Sequence, residues 1–382
     1  MIPPPRLRAL AVALALAACA AGPAAARDAT PPAAPAAAAA HALRDAARGA
    51  RAHGQGVFSF RFASPALADN VQGNPPEARG VVRLPAAVER CRAGAEDCWL
   101  VLYLPGFDGE PARAIELLAP RLAALERAGD APPVVLVAVD GRTRLGGGFY
   151  VDSPASGRFA GTILDGILPA LRTALDLELP PARTLVTGHS MGGFGALWLA
   201  LQRPDEFSGA AAFNPAARLV PLAERLLGSV ESARGAAALD PAELVRRPDP
   251  DRFRERLLAA MCAAFVPAPS RPGGFAVPFD PAARPHALAP QARAGLSRFD
   301  LGRPLEGALA RGARALPRIV VTGGGRDRLI PPSDVQAVAE ALSAARGPGR
   351  AVELSVRPDG DHGSQLADDF AAAIRSLAGR RR

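Results

Sequence analysis

The chain has 382 residues, long enough for one large domain or two small ones, and 49% of them are apolar, so a substantial core can be buried. Its formal net charge of +8 comes from 45 basic residues, all of them arginine, against 37 acidic ones. The arginines are scattered among Asp and Glu with no long basic run before the last three residues, which speaks for an ordinary solvated surface and against nucleic acid as a partner.

At the N-terminus Arg6 and Arg8 precede an apolar stretch, Leu10 to Ala18, and small residues follow. This order reads as a secretory signal peptide over residues 1–18, and the stretch is too short to span a bilayer. Leu16-Ala17-Ala18-Cys19 resembles the lipobox of bacterial lipoproteins, so Cys19 is the expected lipidation site; cleavage after Ala24-Ala25-Ala26 is the alternative. The expected location is therefore outside the cytoplasm: lipid-anchored in the bacterial cell envelope, otherwise periplasmic or secreted, with membrane contact through the anchor alone. Residues 19–40 are mostly Ala and Pro and read as a tether, which places the folded domain at 41–382, starting near His41.

Three further cysteines lie downstream. Cys91 and Cys98 bracket a short loop, and export brings oxidising conditions, so a local disulfide is expected between them. Cys262 is left over and reads as a small buried apolar residue. Neither a four-ligand zinc spacing nor a CxxC pair occurs, so no metal site is expected.

Strand-like runs fall at Gly56–Phe62, Gly80–Leu84, Trp99–Leu104, Val134–Val139, Thr184–Thr187, Gly209–Phe213, Ile319–Thr322 and Val352–Val356. Helical stretches separate the later ones: Ala112–Arg127, Thr162–Leu177, Phe194–Leu201, Ser333–Ala345 and Gln365–Leu377. Several of the middle runs are continuously apolar, as in strands buried on both faces, and their alternation with helices predicts an α/β fold with a mostly parallel central sheet flanked by helices. The first two runs are closer together and suit an antiparallel edge. The alternation stops between Asn214 and Leu316. Residues 215 to 316, to about the nearest few, read as a helical insertion packed over the strand ends, a candidate lid.

Gly188-His189-Ser190-Met191-Gly192-Gly193 fits G-x-S-x-G and lies between an apolar strand and a helical segment, the context of a nucleophile elbow in the α/β-hydrolase fold. Ser190 is then the candidate nucleophile. A serine needs a base, and in this fold the acid and then the histidine follow the nucleophile in the chain, each after a strand. Of five histidines, only His362 follows the last strand run and precedes the last helix. His41 and His53 precede the sheet, His189 is inside the elbow and His286 is in the insertion. Asp327 lies just past the run Ile319–Thr322 on a glycine-rich turn and is the candidate acid. Its rivals fit less well: Asp334 suits a helix cap, Asp359 and Asp361 share the loop of His362, and Asp300 belongs to the insertion. Two backbone N–H groups should form an oxyanion hole, that of Met191 and that of Phe107 in Pro105-Gly106-Phe107-Asp108-Gly109.

From Trp99 onward the chain resembles the esterase family that includes S-formylglutathione hydrolase (esterase D), the antigen 85 mycolyltransferases, feruloyl esterases and enterochelin-type esterases. VLYLPGFDG, VVLVAVDG, GGGFYVDSP and above all GHSMGGFGALWLALQRPDEFSGAAAF carry the resemblance, and TGGGRDRLIPP and DGDHGS extend it over most of residues 99–370. It implies ester hydrolysis, or acyl transfer, without a cofactor, acting on a small-molecule or a lipid or sugar ester, with Ser190, Asp327 and His362 as triad and Met191 as an oxyanion donor. Pro105-Gly106 replaces the His-Gly pair of many members, and the insertion is longer than usual, so the acyl pocket should differ. Phe149, Tyr150 and Asp152 are candidates to line or support that pocket; Trp198 reads as core. Acyl transfer to a hydroxyl and a non-catalytic, lipid-tethered binding protein are the competing functions.

Overall fold

Alanine is the strongest helix former, and an alanine-rich segment becomes a stable helix once one face has something to bury against. In the computed structural model, which describes residues 33–54, 56–235, 239–279 and 287–379, this happens at α1 (Ala33–Ala52). Ala39, Leu43, Ala47 and Ala50 recur at helical spacing and are buried in the core. Regular structure thus begins before His41, and the expected tether is corrected: its last residues are helix, because low complexity in alanine is also high helix propensity. The signal peptide, Cys19 and His286 lie outside the described residues.

The chain continues through β1 (Val57–Ala63), β2 (Glu77–Arg83), α2 (Val88–Arg92), β3 (Trp99–Leu104), α3 (Pro111–Ala128) and β4 (Val134–Val139). A small antiparallel ribbon, β5 (Asp152–Ser153) with β6 (Gly157–Arg158), follows. Next, α4 (Phe159–Gly161) passes through a π-helical turn at Thr162–Ile167 into α5 (Leu168–Ala174). Then come β7 (Thr184–His189), α6 (Met191–Gln202) and β8 (Gly209–Phe213). The last elements of the sheet are β9 (Arg318–Gly324), α12 (Pro332–Arg346), β10 (Glu353–Arg357) and α13 (Leu366–Ala378). Together β1–β4 and β7–β10 form one eight-stranded sheet in the order β1-β2-β4-β3-β7-β8-β9-β10. Strand β2 is antiparallel to both of its neighbours, which makes the predicted antiparallel edge; the other pairs are parallel.

The side chains of β3 show how the layers divide. Leu100, Leu102 and Leu104 join one core with α1, α5 and α6, whereas Val101 and Tyr103 join a second core with α3 and α13 on the opposite face. This is the α/β-hydrolase architecture, a mostly parallel sheet between helical layers.

The segment between β8 and β9 is helical, with α7 (Leu219–Arg234), α8 (Pro241–Arg246), α9 (Phe253–Phe265), α10 (Pro290–Phe299) and α11 (Gly307–Ala315). Helix α9 is not a surface flap: Glu255 to Phe265 are all buried, and the Phe265 ring contacts Phe149, Phe194 and Phe299. The insertion therefore completes the core as well as overlying the strand ends. Cys91 of α2 is disulfide-bonded to Cys98, with Cα atoms 5.7 Å apart, and Cys262 of α9 is a buried free thiol. Among the described residues no helix is long and apolar enough to cross a membrane.

Candidate active site

Parallel strands deliver their carboxyl ends to one edge of the sheet, and the register here brings five of them level. Leu104 of β3 pairs with Gly188 of β7, His189 with Phe213 of β8, Phe213 with Thr322 of β9, and Gly324 of β9 with Arg357 of β10. The loops that leave these strands carry Phe107, Ser190, Asn214, Asp327 and His362.

Ser190 has φ 55° and ψ −116°, a left-handed conformation that a non-glycine residue adopts only when its surroundings hold it. They do so with three backbone bonds: Ser190 N–H donates to the Phe213 carbonyl at 2.9 Å, and its own carbonyl accepts from Phe194 at 3.1 Å and Ala216 at 3.0 Å. Close packing explains the flanking glycines. A Cβ on Gly192 would lie 1.8 Å from the Leu104 carbonyl oxygen, inside any allowed contact. The serine hydroxyl is thereby fixed at the start of α6.

His362 Nε2 lies 2.9 Å from Ser190 Oγ, and His362 Nδ1 lies 2.6 Å from Asp327 Oδ2. A carboxylate on Nδ1 assigns the proton to that nitrogen and leaves Nε2 to accept from the serine hydroxyl. The side chain of Asp327 is fully buried and satisfied on both oxygens. Oδ2 also accepts from the Asn214 amide at 2.7 Å, and Oδ1 accepts from the Leu329 and Ile330 N–H groups at 2.9 Å each. Burial pushes its carboxyl up, but the hydrogen bond and charge of His362, with the Ile330 and Asn214 donors, outweigh that and hold it below the usual carboxylate range.

The rival acids are otherwise engaged. Asp334 pairs with Arg225 at 2.6 Å from within the first turn of α12, and Pro331 occupies the cap position expected for it. Asp359 pairs with Arg326, Asp361 accepts from the Ser364 N–H, and Asp300 accepts from the Val220 and Gly302 N–H groups.

The loop after β3 runs against the nucleophile. A methyl group on Gly106 would sit 3.4 Å from Ser190 Cβ and 3.2 Å from His189 Nδ1. Within this loop the Asp108 N–H donates to the Gly146 carbonyl at 3.0 Å and the Gly109 N–H to the Gly106 carbonyl at 2.9 Å. Among the described residues no backbone carbonyl takes the Phe107 N–H. Phe107 is thus, with Gly106, a donor that the turn itself does not consume. Met191 opens α6, where the first N–H groups have no intrahelical acceptor and the helix dipole favours negative charge.

Three supporting side chains escaped the sequence reading in whole or part. Asn214, at φ 45°, reaches across from β8 to steady the Asp327 carboxylate. Arg256 of α9 is 5% exposed and grips Asp108 with both terminal nitrogens, at 2.8 and 2.6 Å. It also donates to the Leu145 carbonyl at 3.2 Å and the Asp249 carbonyl at 3.0 Å, and its guanidinium lies 5.4 Å from the centre of the Phe107 ring. Tyr150, fully buried, donates its hydroxyl to the Pro105 carbonyl at 2.9 Å, and burial raises its pKa well above the usual phenol value. Tyr150 therefore supports the loop and does not line a pocket; Phe149 is likewise fully buried in the core. Asp152 is exposed, accepting from the Gly161 N–H and pairing with Arg158, and Trp198 packs half-buried against Phe194 and Phe299, as core.

His189 presents a second imidazole to the site, its ring centre 4.8 Å from that of His362. Burial, aided by the charge of His362, pushes its pKa down to about 3, so it stays neutral beside His362. Among the described residues no cluster of His, Cys, Asp and Glu has the arrangement of a metal site.

Fold, elbow and site chemistry define a serine carboxylic-ester hydrolase of the α/β-hydrolase class. Residues 123–268 match the family described as "Putative esterase"; the matched span contains Ser190 but neither the loop after β3 nor Asp327 and His362. Solved structures share the fold at low identity. A ferulic acid esterase aligns with a TM-score of 0.55 and 14% identity, over 84% of this chain and 96% of that one. The S-formylglutathione hydrolase of Staphylococcus aureus aligns with a TM-score of 0.51 and 13% identity, over 85% and 98%. A fluorophosphonate-binding serine hydrolase of the same organism gives 0.50 and 14%, over 85% and 98%.

Proposed function

We propose that the protein hydrolyses carboxylic esters through a Ser190–His362–Asp327 triad and a covalent acyl-enzyme. The observation that carries this reading is the unbroken hydrogen-bonded line from Ser190 Oγ through the His362 ring to Asp327, with separations of 2.9 and 2.6 Å. As Ser190 Oγ attacks the ester carbonyl, its proton passes to His362 Nε2. The imidazolium that forms is stabilised by Asp327, which stays a carboxylate. The carbonyl oxygen becomes an oxyanion and is met by the Phe107 and Met191 N–H groups. Collapse breaks the bond to the alcohol, which leaves with the proton from Nε2. Water then repeats the sequence on the acyl-enzyme, with His362 as base, and releases the acid and free Ser190.

Export with a lipid anchor on Cys19 is part of the same proposal. Its support is the signal-like leader and the Cys91–Cys98 disulfide, a bond at home in an oxidising compartment. An intact-mass measurement of envelope protein distinguishes a diacylglyceryl chain beginning at Cys19 from an unmodified chain beginning at Arg27.

Ser190→Ala tests the mechanism. The variant should fold, bind no fluorophosphonate probe and lose about 10⁴–10⁶ in kcat. Near wild-type turnover by this variant would overturn the proposal.

A further inference from the structure

A cleft of about 560 Å³ opens between α7, the start of α9 and the loop that carries the acid. Ser190 and His362 are not among its lining residues, but two of its walls belong to the catalytic machinery. Leu329, on one wall, donates its N–H to Asp327 Oδ1 at 2.9 Å. Phe253, on the other, packs its ring edge-on against Phe107, with centroids 5.6 Å apart. The cleft therefore adjoins the acid on one side and the oxyanion loop on the other, and its volume suits a small organic ligand.

The charges on its walls are unequal in how they are used. Arg225 is committed to Asp334 at 2.6 Å and to the Leu329 carbonyl at 3.2 Å, and Glu255 is buried beside Arg252. Arg254 and Arg328 are exposed and, among the described residues, have no carboxylate partner. One exposed acid, Asp251, shares the rim with them, so the balance of unpaired charge is positive. A guanidinium presents a planar fork that matches a carboxylate, and apolar surface nearby, here Phe253 and Leu226, strengthens such a pair by limiting water. We infer that this cleft holds a carboxylate carried by the ester substrate, bound by Arg254 and Arg328. The inference rests on the esterase reading above and names the substrate class: a small ester bearing a negative charge away from the scissile bond.

Matched aryl esters test it: a mono-(4-nitrophenyl) dicarboxylate against the neutral acyl ester of equal length, and 4-acetoxybenzoate against its methyl ester. The two pairs place the charge on the acyl side or on the alcohol side. Wild-type enzyme should favour the charged member of at least one pair by about tenfold in kcat/KM, mainly through KM, and less at high salt. Arg254→Gln/Arg328→Gln should abolish that ratio, and the double lysine variant should restore part of it. The ratio is internal to each variant, so a smaller folded fraction does not imitate the effect. Absence of a preference in both pairs, or a preference that survives the double glutamine change, would overturn the carboxylate site while leaving esterase activity intact. Failure of the wild type to cleave any of the four esters would instead remove the esterase reading, and this inference with it.

Discussion

Replacing Arg256 by methionine keeps most of the buried volume but removes the fork that ties the insertion to the loop after β3. Four hydrogen bonds disappear: two to Asp108 and one each to the Leu145 and Asp249 carbonyls. Removing one partner of a buried ion pair costs about 3–5 kcal/mol, but the Asp108 side chain is 42% exposed and can be rehydrated, so about 2–3 kcal/mol is expected. The catalytic effect follows from conformation. Asp108 sits at φ 60°, directly after Phe107, the proposed oxyanion donor, and the Arg256 bridge is what its side chain holds on to. Full loss of an oxyanion donor costs about 10²–10³ in kcat, so partial misplacement of Phe107 should cost about 10–100-fold, with KM changing much less. Asp108→Asn should act in the same direction, and the double variant should lose less than the sum of the singles, because both remove one interaction. The assay is steady-state hydrolysis of an activated ester together with urea unfolding. An Arg256→Met enzyme that is destabilised yet keeps wild-type kcat would show that the bridge holds the fold only and does not position the loop.

Three further outcomes are expected. Asp327→Asn should keep the fold but lower kcat by about 10⁴, because the amide favours the wrong imidazole tautomer; normal turnover would unseat Asp327 as the acid. His189 should remain neutral to pH 5 in NMR titration, since its folded pKa is pushed down to about 3. As the unfolded imidazole, with a pKa of about 6.5, takes up a proton that the folded one refuses, this contribution to stability is complete above that pH and is lost on acidification, by at most about 2 kcal/mol between pH 6.5 and 5. An imidazole signal for His189 with a midpoint near 6 would contradict this. Gly192→Ala should fail to give soluble active enzyme, because its methyl group would lie 1.8 Å from the Leu104 carbonyl; a crystal structure with the elbow unmoved would refute the packing argument.

Local chemistry made much of this protein legible. Strands β3, β4 and β8 begin and end where the apolar runs do, because a strand buried on both faces has to be apolar throughout. The elbow was readable because its glycines answer a clash only a few residues away, and the positions of Ser190, Asp327 and His362, each just past a strand, followed from where the apolar runs end. Composition misled at α1, where alanine and proline suggest a tether, yet Leu43 and its small neighbours find a face of the core to cover.

The remainder depended on contacts between distant parts of the chain. Asn214 and Asp327 are 113 residues apart, and Asp108 and Arg256 are 148 apart; neither pair carries a pattern in sequence that distinguishes it from other Asn, Asp and Arg residues. Whether Phe149 and Tyr150 line a pocket or support it is not legible, because an aromatic pair after a glycine run does not state which way it faces, and only packing turned both inward. Backbone propensity and hydrophobic period act over a few residues, and they determined the strands, the helices and the elbow. Which arginine clamps the loop after β3 and which amide steadies the Asp327 carboxylate were decided by the sheet order and by helix α9, since only assembly of the core brings those side chains within hydrogen-bonding distance.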